Sequence, residues 1–412
     1  MLQKNNPFLN TPQPLDEEAL KKRSIGFLFF WVMYLLLSPF YIFNSGLPQP
    51  ADILIFTGII IFFSYRFLTS GDQDNANITG VYIFGGIFVG LTTSINLIHY
   101  FFTPDVKFML HSIYYFFNFL IFVFGILIFR SYPKMANYYS YWAVVIICIL
   151  EFLVVMFFPD MEDYRASGTF NRSNQLAYWG ILTAAALLIL KRTSPITLLD
   201  LLLLAMIGYI EMKALSKAGI IVYFMLLMIA FISPNITKKM RWIAFICFTV
   251  LMLVKFQTPQ NVAVFIQKIE TLEAVSDRMK TLGKQADDTP AGRGYDRLIE
   301  HPQFLIVGAG EGAHWRFGRQ ELHSGIATLI FSYSIFGFGV FVLFLGSVFY
   351  RLPWHYTAML IPIFMYGLTH QNVRFSYFWV FLALAYSWHF IKREEDGGDQ
   401  ADRLEGVSVD GQ

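Results

Sequence analysis

The sequence predicts an all-α, polytopic integral membrane protein, a helical bundle of about twelve transmembrane helices with one large loop outside the membrane. Of its 412 residues, 56% are hydrophobic and 15% are charged, a balance that is unusual for soluble domains. Apolar runs of about twenty residues recur from Ile25 onward, and a helix of that length crosses a hydrocarbon core of roughly 30 Å. Lys and Arg fall mainly on alternate connecting loops, as expected for a chain that crosses a membrane repeatedly.

The apolar runs give the order of the elements along the chain. Spans are expected to begin near Ile25, Ala51, Thr79, Phe108, Asn137, Asn174, Ile196, Lys217, Arg241, His323, Tyr356 and Val373. We expect a cytoplasmic leader at 1–24, spans one to nine at 25–256, a large outer loop at 257–322, spans ten to twelve at 323–391 and a disordered cytoplasmic tail at 392–412. The tail is assigned to disorder because it lacks apolar residues.

Positive charge orients the spans. Short cytoplasmic loops are enriched in Lys and Arg, and such residues precede the first span and then recur on every second loop. Both termini are therefore expected inside. The large loop falls outside, where apolar residues between Val262 and Leu282 recur at steps of three and four and predict an amphipathic helix.

A set of cations is expected on the outer side, where the positive-inside rule disfavours them. Its members are Arg165, Arg172, Lys217, Arg293, Arg297, Arg316, Arg319 and Arg374. Arg offers paired donors in a fixed fork, so such a set suits a diphosphate. The alternative is that individual cations anchor the chain at lipid headgroups, and Arg316 and Arg319 are expected to be merely solvated.

Several uncharged and acidic residues have two readings. His323 opens a span directly after the large loop, a suitable place for a proton acceptor, and a capping role is the alternative. Asn171 and Asn174 suit either ligand contact or a helix cap. Glu151 and Asp200 lie inside apolar runs, where we favour interior hydrogen bonding over a proton relay. The remaining histidines, such as His99 and His111, are expected to pack.

Composition also excludes some classes. A net charge of +2 with no basic stripe argues against nucleic-acid binding. The two cysteines lie inside apolar runs and form neither a disulfide framework nor a metal cluster. The outer loops carry no dense aspartate cluster of the kind that would hold magnesium. The glycine-rich VGAGEG is expected to be a turn whose backbone N–H groups could face a phosphate.

The order of motifs resembles the O-antigen ligase and O-antigen polymerase superfamily of bacterial envelope polysaccharide assembly. The motifs are GTFNRSNQLA before one span, SKAG at the start of another, EHPQFLIVGAGEG in the large loop, and HSGIATLIFSYSIFGFGVF after it. The resemblance covers roughly Arg165 to Phe341. It implies the bacterial inner membrane, with the large loop, containing amphipathic helices, in the periplasm.

Individual positions match the family's patterns unevenly. The matching residues are Gly168, Thr169, Phe170, Asn174, Ser216, Arg293, Pro302, Gly308, Gly310 and His323. Arg172 and Ser173 depart from the family's GTF motif, and Ser324 replaces an Asn. Lys217 stands where the family has Arg, which keeps the charge but loses the bidentate fork.

The resemblance implies a membrane glycosyltransferase at the periplasmic face that is metal-independent and needs no nucleotide or other cofactor, and the lack of an aspartate cluster agrees with this. Its donor would be an oligosaccharide on undecaprenyl diphosphate, and the hydroxyl of an acceptor sugar would attack the anomeric carbon while the lipid diphosphate leaves. The implied partners are this lipid-linked donor, membrane lipids, a chain-length regulator and a flippase. The implied catalytic residues are His323 and Arg293, and the implied substrate-binding residues are Arg165, Arg172, Asn174, Gln175, Lys217, Arg297 and Arg374.

The family contains polymerases, which extend a polymer on its lipid carrier, and ligases, which move the finished polymer to lipid A core. The departures from the family's motifs at Arg172, Ser173 and Ser324 favour a polymerase, since polymerases are the more variable branch. Two other classes also fit a chain of about twelve spans. A transporter or flippase is disfavoured because no internal hydropathy repeat relates the two halves. A non-catalytic envelope component would use the cations only as lipid anchors.

Overall fold

The computed structural model describes residues 25–44, 46–69, 80–158, 161–162, 165–239, 241–242, 289, 292–318 and 321–391. This part of the chain is almost entirely helical. Its helices are α1 (Ile25–Leu37), α2 (Pro50–Thr69), α3 (Gly80–Phe102), α4 (Val106–Ser131), α5 (Pro133–Phe157), α6 (Ser173–Leu190), α7 (Leu198–Ala214), α8 (Lys217–Ile232), α9 (Asp296–Glu300), α10 (Phe304–Val307), α11 (Gly325–Phe349), α12 (Trp354–Ala358), α13 (Leu360–Gly367) and α14 (Ser376–Tyr386). A short antiparallel pair joins β1 (Met161–Glu162) and β2 (Arg165–Ala166).

The prediction of a mostly helical chain that contains apolar helices of membrane-spanning length is confirmed in this described part, whereas the count of twelve spans and the position of a large loop outside the membrane stay predictions. Five helices, α3, α4, α5, α6 and α11, are long and apolar enough to cross a membrane. The expected eleventh span is divided into the short helices α12 and α13. The predicted span at Arg241 beyond residue 242 and the amphipathic helix between Val262 and Leu282 lie outside the described residues.

The core centres on α6 and α14. Every residue of α6 from Leu176 to Leu190 is buried, as is every residue of α14 from Tyr377 to Ala385. A helix that is apolar all round belongs inside a bundle, and α6 is enclosed by α5, α7, α8 and α14. The N-terminus of α6 is therefore held in a fixed position among these helices.

Two carboxylates inside apolar helices have interior hydrogen-bonding roles, the role that the sequence favours for both. Glu151 of α5 accepts the backbone N–H of Thr169 at 2.9 Å, and the Thr169 hydroxyl lies 2.6 Å from its other oxygen. Asp200 accepts from Tyr141 at 2.8 Å, pairs with Lys191 at 3.3 Å and forms a capping box at the start of α7. Both carboxylates therefore hold loops and helix ends in place.

The glycine-rich turn between α10 and α11 packs into the bundle. The N–H groups of Ala309 and Gly310 donate to the carbonyls of Phe331 and Ser332 at 2.9 Å each, where α11 is kinked by the non-helical Ser334. The Glu311 N–H donates to Asn96 at 2.8 Å. These N–H groups are used inside the fold, so the turn chemistry expected for VGAGEG is observed, while these donors do not face a phosphate.

Candidate functional site

A cavity of about 1650 Å³ opens where the N-termini of α6 and α8 meet α2, α4, β2 and the loop between α13 and α14. Its cationic lining residues are Lys107, Arg165, Arg172, Lys217, Arg293 and Arg374, and its carboxylates are Asp52 and Glu321. Among the described residues, six cations therefore face the space against two acids. The cavity is large enough for several sugar rings or for a diphosphate with one sugar.

Eight of the nine site residues predicted from the sequence line this one cavity. They are Arg165, Arg172, Asn174, Gln175, Lys217, Arg293, His323 and Arg374. The ninth, Arg297, is buried beside the cavity, where its guanidinium lies 5.7 Å from the ring of Phe317. Residues separated by up to about two hundred positions in sequence therefore line the same cavity.

Arg165 and Asn174 are fixed to each other. An Nη of Arg165 donates to Asn174 Oδ1 at 2.6 Å, and its Nε donates to the carbonyl of Ala214 at 3.0 Å. The N-cap residue of α6 is Arg172, which makes no side-chain capping bond, so Asn174 is a contact of the arginine and not the helix cap. Asn171 donates to the carbonyl of Phe43 at 2.8 Å and anchors the preceding loop.

Arg293 and His323 lie side by side. The His323 N–H donates to the carbonyl of Arg293 at 3.2 Å, and the Arg293 guanidinium donates to the carbonyl of Thr369. His323 is exposed to the cavity, whereas Arg293 is half-buried. The segments that carry Arg293 and His323 are therefore joined to each other and to the loop between α13 and α14.

The N-termini of two long helices also open on the cavity. Lys217 begins α8 after the N-cap Ser216, and both residues line the space. Asn174 and Gln175, in the first turn of α6, line it as well. Helix N-termini carry partial positive charge and unpaired N–H groups, so they add to the attraction that the side-chain cations exert on an anion.

His370 also lines the cavity, and the sequence did not indicate it as a site residue. Its ring stacks on Tyr366 at 4.6 Å, and Tyr366 stacks in turn on Tyr178 at 4.9 Å. Burial, together with the positive charges of Arg293 and Arg165, lowers the pKa of His370 to about 3. The imidazole is neutral at physiological pH and available for hydrogen bonding.

A second group of charged residues at the cavity is built around Arg374. This guanidinium pairs with Glu311 at 3.3 Å, donates to Glu321, and donates to Nε2 of His111 at 2.6 Å. Since a guanidinium can only donate, His111 Nε2 accepts and its proton lies on Nδ1, which faces the carbonyl of Glu311 at 2.5 Å. Burial alone would lower the pKa of Arg374, but Glu311 and Glu321 raise it, so Arg374 stays charged.

His111, Glu311 and Glu321 present ligand atoms within 4.8 Å of one another, a spacing that a metal ion can use. Arg374 already lies against all three groups, so a metal ion would have to displace its guanidinium. The donor set in this described part of the chain therefore fits an arginine better than a metal ion. The sequence did not indicate this cluster, because His111 reads as a packing residue inside an apolar run.

Arg316 corrects one expectation. It is not merely solvated: it donates to the carbonyl of Ala309 at 2.6 Å and lies 5.2 Å and 5.1 Å from the rings of Phe108 and Phe317. It therefore fastens the glycine-rich turn instead of serving the cavity. Arg319 lies outside the described residues.

A comparison with known protein families finds no family that matches the chain, and a comparison with curated proteins finds no similar sequence. Functional inference therefore depends on the motifs and on the geometry of the cavity.

Proposed function

We propose that the protein is a polysaccharide polymerase of the O-antigen or exopolysaccharide type, which transfers an oligosaccharide from undecaprenyl diphosphate to an acceptor sugar. The observation that carries the proposal is one cavity in which four cations, Arg165, Arg172, Lys217 and Arg293, face the same space beside two helix N-termini. Within the chain's about twelve spans, this cavity opens toward the periplasm and both termini are cytoplasmic.

The chemistry of the transfer explains why such a cavity is needed. As the bond between the anomeric carbon and the diphosphate breaks, negative charge grows on the leaving group. Cations and N–H dipoles that are already oriented stabilise this charge without reorganising, and they act more strongly in a partly dry site than in water. Arg293 and Arg165 hold the diphosphate, because each is fixed through one part of its guanidinium to a backbone carbonyl.

The remaining lining residues have supporting roles. Arg172 is exposed at the start of α6 and Lys217 is buried at the start of α8, so each places charge at a helix N-terminus. Asn174 and Gln175 contact sugar or phosphate oxygens, and His323 positions or deprotonates the acceptor hydroxyl. Arg297 supports the wall next to Gly294, whereas Arg374 is already paired with Glu311 and Glu321.

A binding measurement tests the diphosphate site. Arg293→Ala in the purified protein is expected to weaken binding of undecaprenyl diphosphate by at least about tenfold, the loss of one charge-assisted contact. Arg351→Ala removes an exposed arginine that does not line the cavity and is the matched control. Equal affinity of the two variants would contradict the assignment of Arg293.

A genetic measurement separates the classes. If the gene is deleted and the protein is a polymerase, single lipid-linked repeat units remain on the outer face and no polymer forms. Repeat units trapped on the cytoplasmic face indicate a flippase instead. Polymer that is complete but not joined to lipid A core indicates a ligase.

A further inference from the structure

The charges on the cavity walls are unequally distributed. Arg165 and Arg293 lie close enough to His370 to lower its pKa. Arg374 is paired with Glu311 and Glu321, two carboxylates against one guanidinium. A transfer reaction produces an anion at the donor and releases a proton at the acceptor, so the first group suits the donor and the second group suits the acceptor.

Of Glu311 and Glu321, Glu321 is the carboxylate that lines the cavity. Its side chain is 35% exposed and lines the space, whereas the side chain of Glu311 is fully buried. Glu311 accepts from the hydroxyls of Tyr115 at 3.0 Å and Tyr333 at 2.8 Å. Arg374 lies between the two acids, so a rigid, buried carboxylate orients the arginine and the arginine orients Glu321.

Glu321 is also close in sequence to His323, which lies beside Arg293, one of the two arginines proposed to hold the diphosphate. It lies two residues before His323, which limits the distance between their Cα atoms to about 7 Å. The His323 backbone is hydrogen-bonded to Arg293 at 3.2 Å. The segment that carries Glu321 is therefore held next to the segment that carries Arg293, and both side chains line the same cavity.

We infer that Glu321 is the general base of the transfer, an inference that rests on the proposed function. The acceptor O–H bond breaks and its proton passes to a carboxylate oxygen of Glu321. The acceptor oxygen forms its bond to the anomeric carbon, and the electron pair of the broken carbon–oxygen bond leaves with the diphosphate. Glu321 then releases the proton to water at the open side of the cavity. His323 keeps the positioning role, and His111 holds Arg374 through its fixed tautomer.

The surroundings of Glu321 keep it in the basic form. Its charged and titratable neighbours are Arg374, His314, His111, Tyr114 and, behind Arg374, Glu311. Burial raises the pKa of Glu321, but the positive charge of Arg374 outweighs this effect and lowers it. Burial also lowers the pKa of His314, so this neighbour is neutral at physiological pH. The carboxylate is therefore ionised before the acceptor arrives.

The test compares Glu321→Gln with Glu300→Gln, the same change on an exposed acid of α9 that does not line the cavity. Gln keeps an oxygen for the N–H of Arg374 but cannot take the proton. The substrate is the lipid-linked repeat unit that accumulates in the deletion strain. Glu321→Gln should lower the transfer rate by at least about 100-fold, the lower end of a general base contribution, while undecaprenyl diphosphate binds as tightly as to the wild type.

Further readouts separate proton transfer from positioning. The wild-type rate should fall at acid pH as Glu321 is protonated, this limb should disappear in Glu321→Gln, and Glu321→Asp should recover part of the rate. Transfer by a folded Glu321→Gln within about threefold of the wild type overturns the inference while the proposed function stands. Undecaprenyl diphosphate that binds equally to wild type and Arg293→Ala removes the diphosphate site, and the inference falls with it.

Discussion

Gly168→Ala perturbs the loop that leads from β2 into α6. Gly168 has φ of +60°, a conformation that costs an L-residue about 1–2 kcal/mol. A Cβ at this position would lie 1.9 Å from an oxygen of Glu151, so the carboxylate has to move. That oxygen accepts the N–H of Thr169, and the other lies 2.6 Å from the Thr169 hydroxyl.

The size of the effect follows from these contacts. Loss of two hydrogen bonds costs about 0.5–1.5 kcal/mol each, which together with the backbone strain gives about 2–5 kcal/mol of lost stability. Displacement of Thr169 also moves the neighbouring Arg172, which lines the cavity. Gly168→Ala should therefore lower both the thermal unfolding midpoint in detergent and the affinity for undecaprenyl diphosphate.

Gly90→Ala is the control for this change. Gly90 lies within α3, and a Cβ there meets no atom within 4 Å. Alanine in a helix interior is favoured over glycine by up to about 1 kcal/mol, so the control should unfold at the same temperature as the wild type or slightly higher. A Gly168→Ala protein that matches the control in midpoint and affinity would refute the role assigned to the hydrogen bonds between Glu151 and Thr169.

Three other changes probe the rest of the structure. Arg165→Lys keeps the charge but loses the fork that reaches both Asn174 and the carbonyl of Ala214, so we expect undecaprenyl diphosphate to bind about tenfold more weakly, with Arg351→Lys unchanged. Asp200→Asn leaves Lys191 without its anion and should lower stability by about 1–3 kcal/mol; a double-mutant cycle with Lys191→Met that gives no coupling would contradict the pair. His370 has a pKa of about 3 in the fold against 6.5 ordinarily, so the unfolded chain binds more protons between these values and stability falls as pH is lowered through them. His370→Gln should flatten this slope, and an unchanged slope would count against the buried, neutral imidazole.

The helices themselves were largely predictable. Apolar runs of fixed length predict α1, α2, α3, α4 and α5 to within a few residues of their starts, because every spanning segment must satisfy its backbone within a helix. The starts of α6 and α8 were also predicted at Asn174 and Lys217. The divided helices α12 and α13 were not predicted, since a break inside an apolar run leaves the hydropathy pattern nearly unchanged.

The candidate site was predictable in its cations but not in their partners. Arg165, Arg293 and Arg374 were predicted to share one site because they fall on the side of the membrane where cations are rare. All three line one cavity. The sequence could not distinguish Arg374, which is paired with Glu311 and Glu321, from Arg293, which contacts a backbone carbonyl. The placement of Lys and Arg relative to apolar runs indicates which side of a membrane a charge favours. It does not indicate which side chain that charge will contact in the folded protein.

The sequence alone determined the class of structure, because hydrophobic length and the placement of charge are properties of single segments. Tertiary structure decided the chemistry of the cavity: the proton position on His111, the neutral state of His370 and the ion pair that orients Glu321. Each depends on groups from distant segments brought within a few ångströms, where a low dielectric makes the identity of the neighbour matter more than the residue's own type.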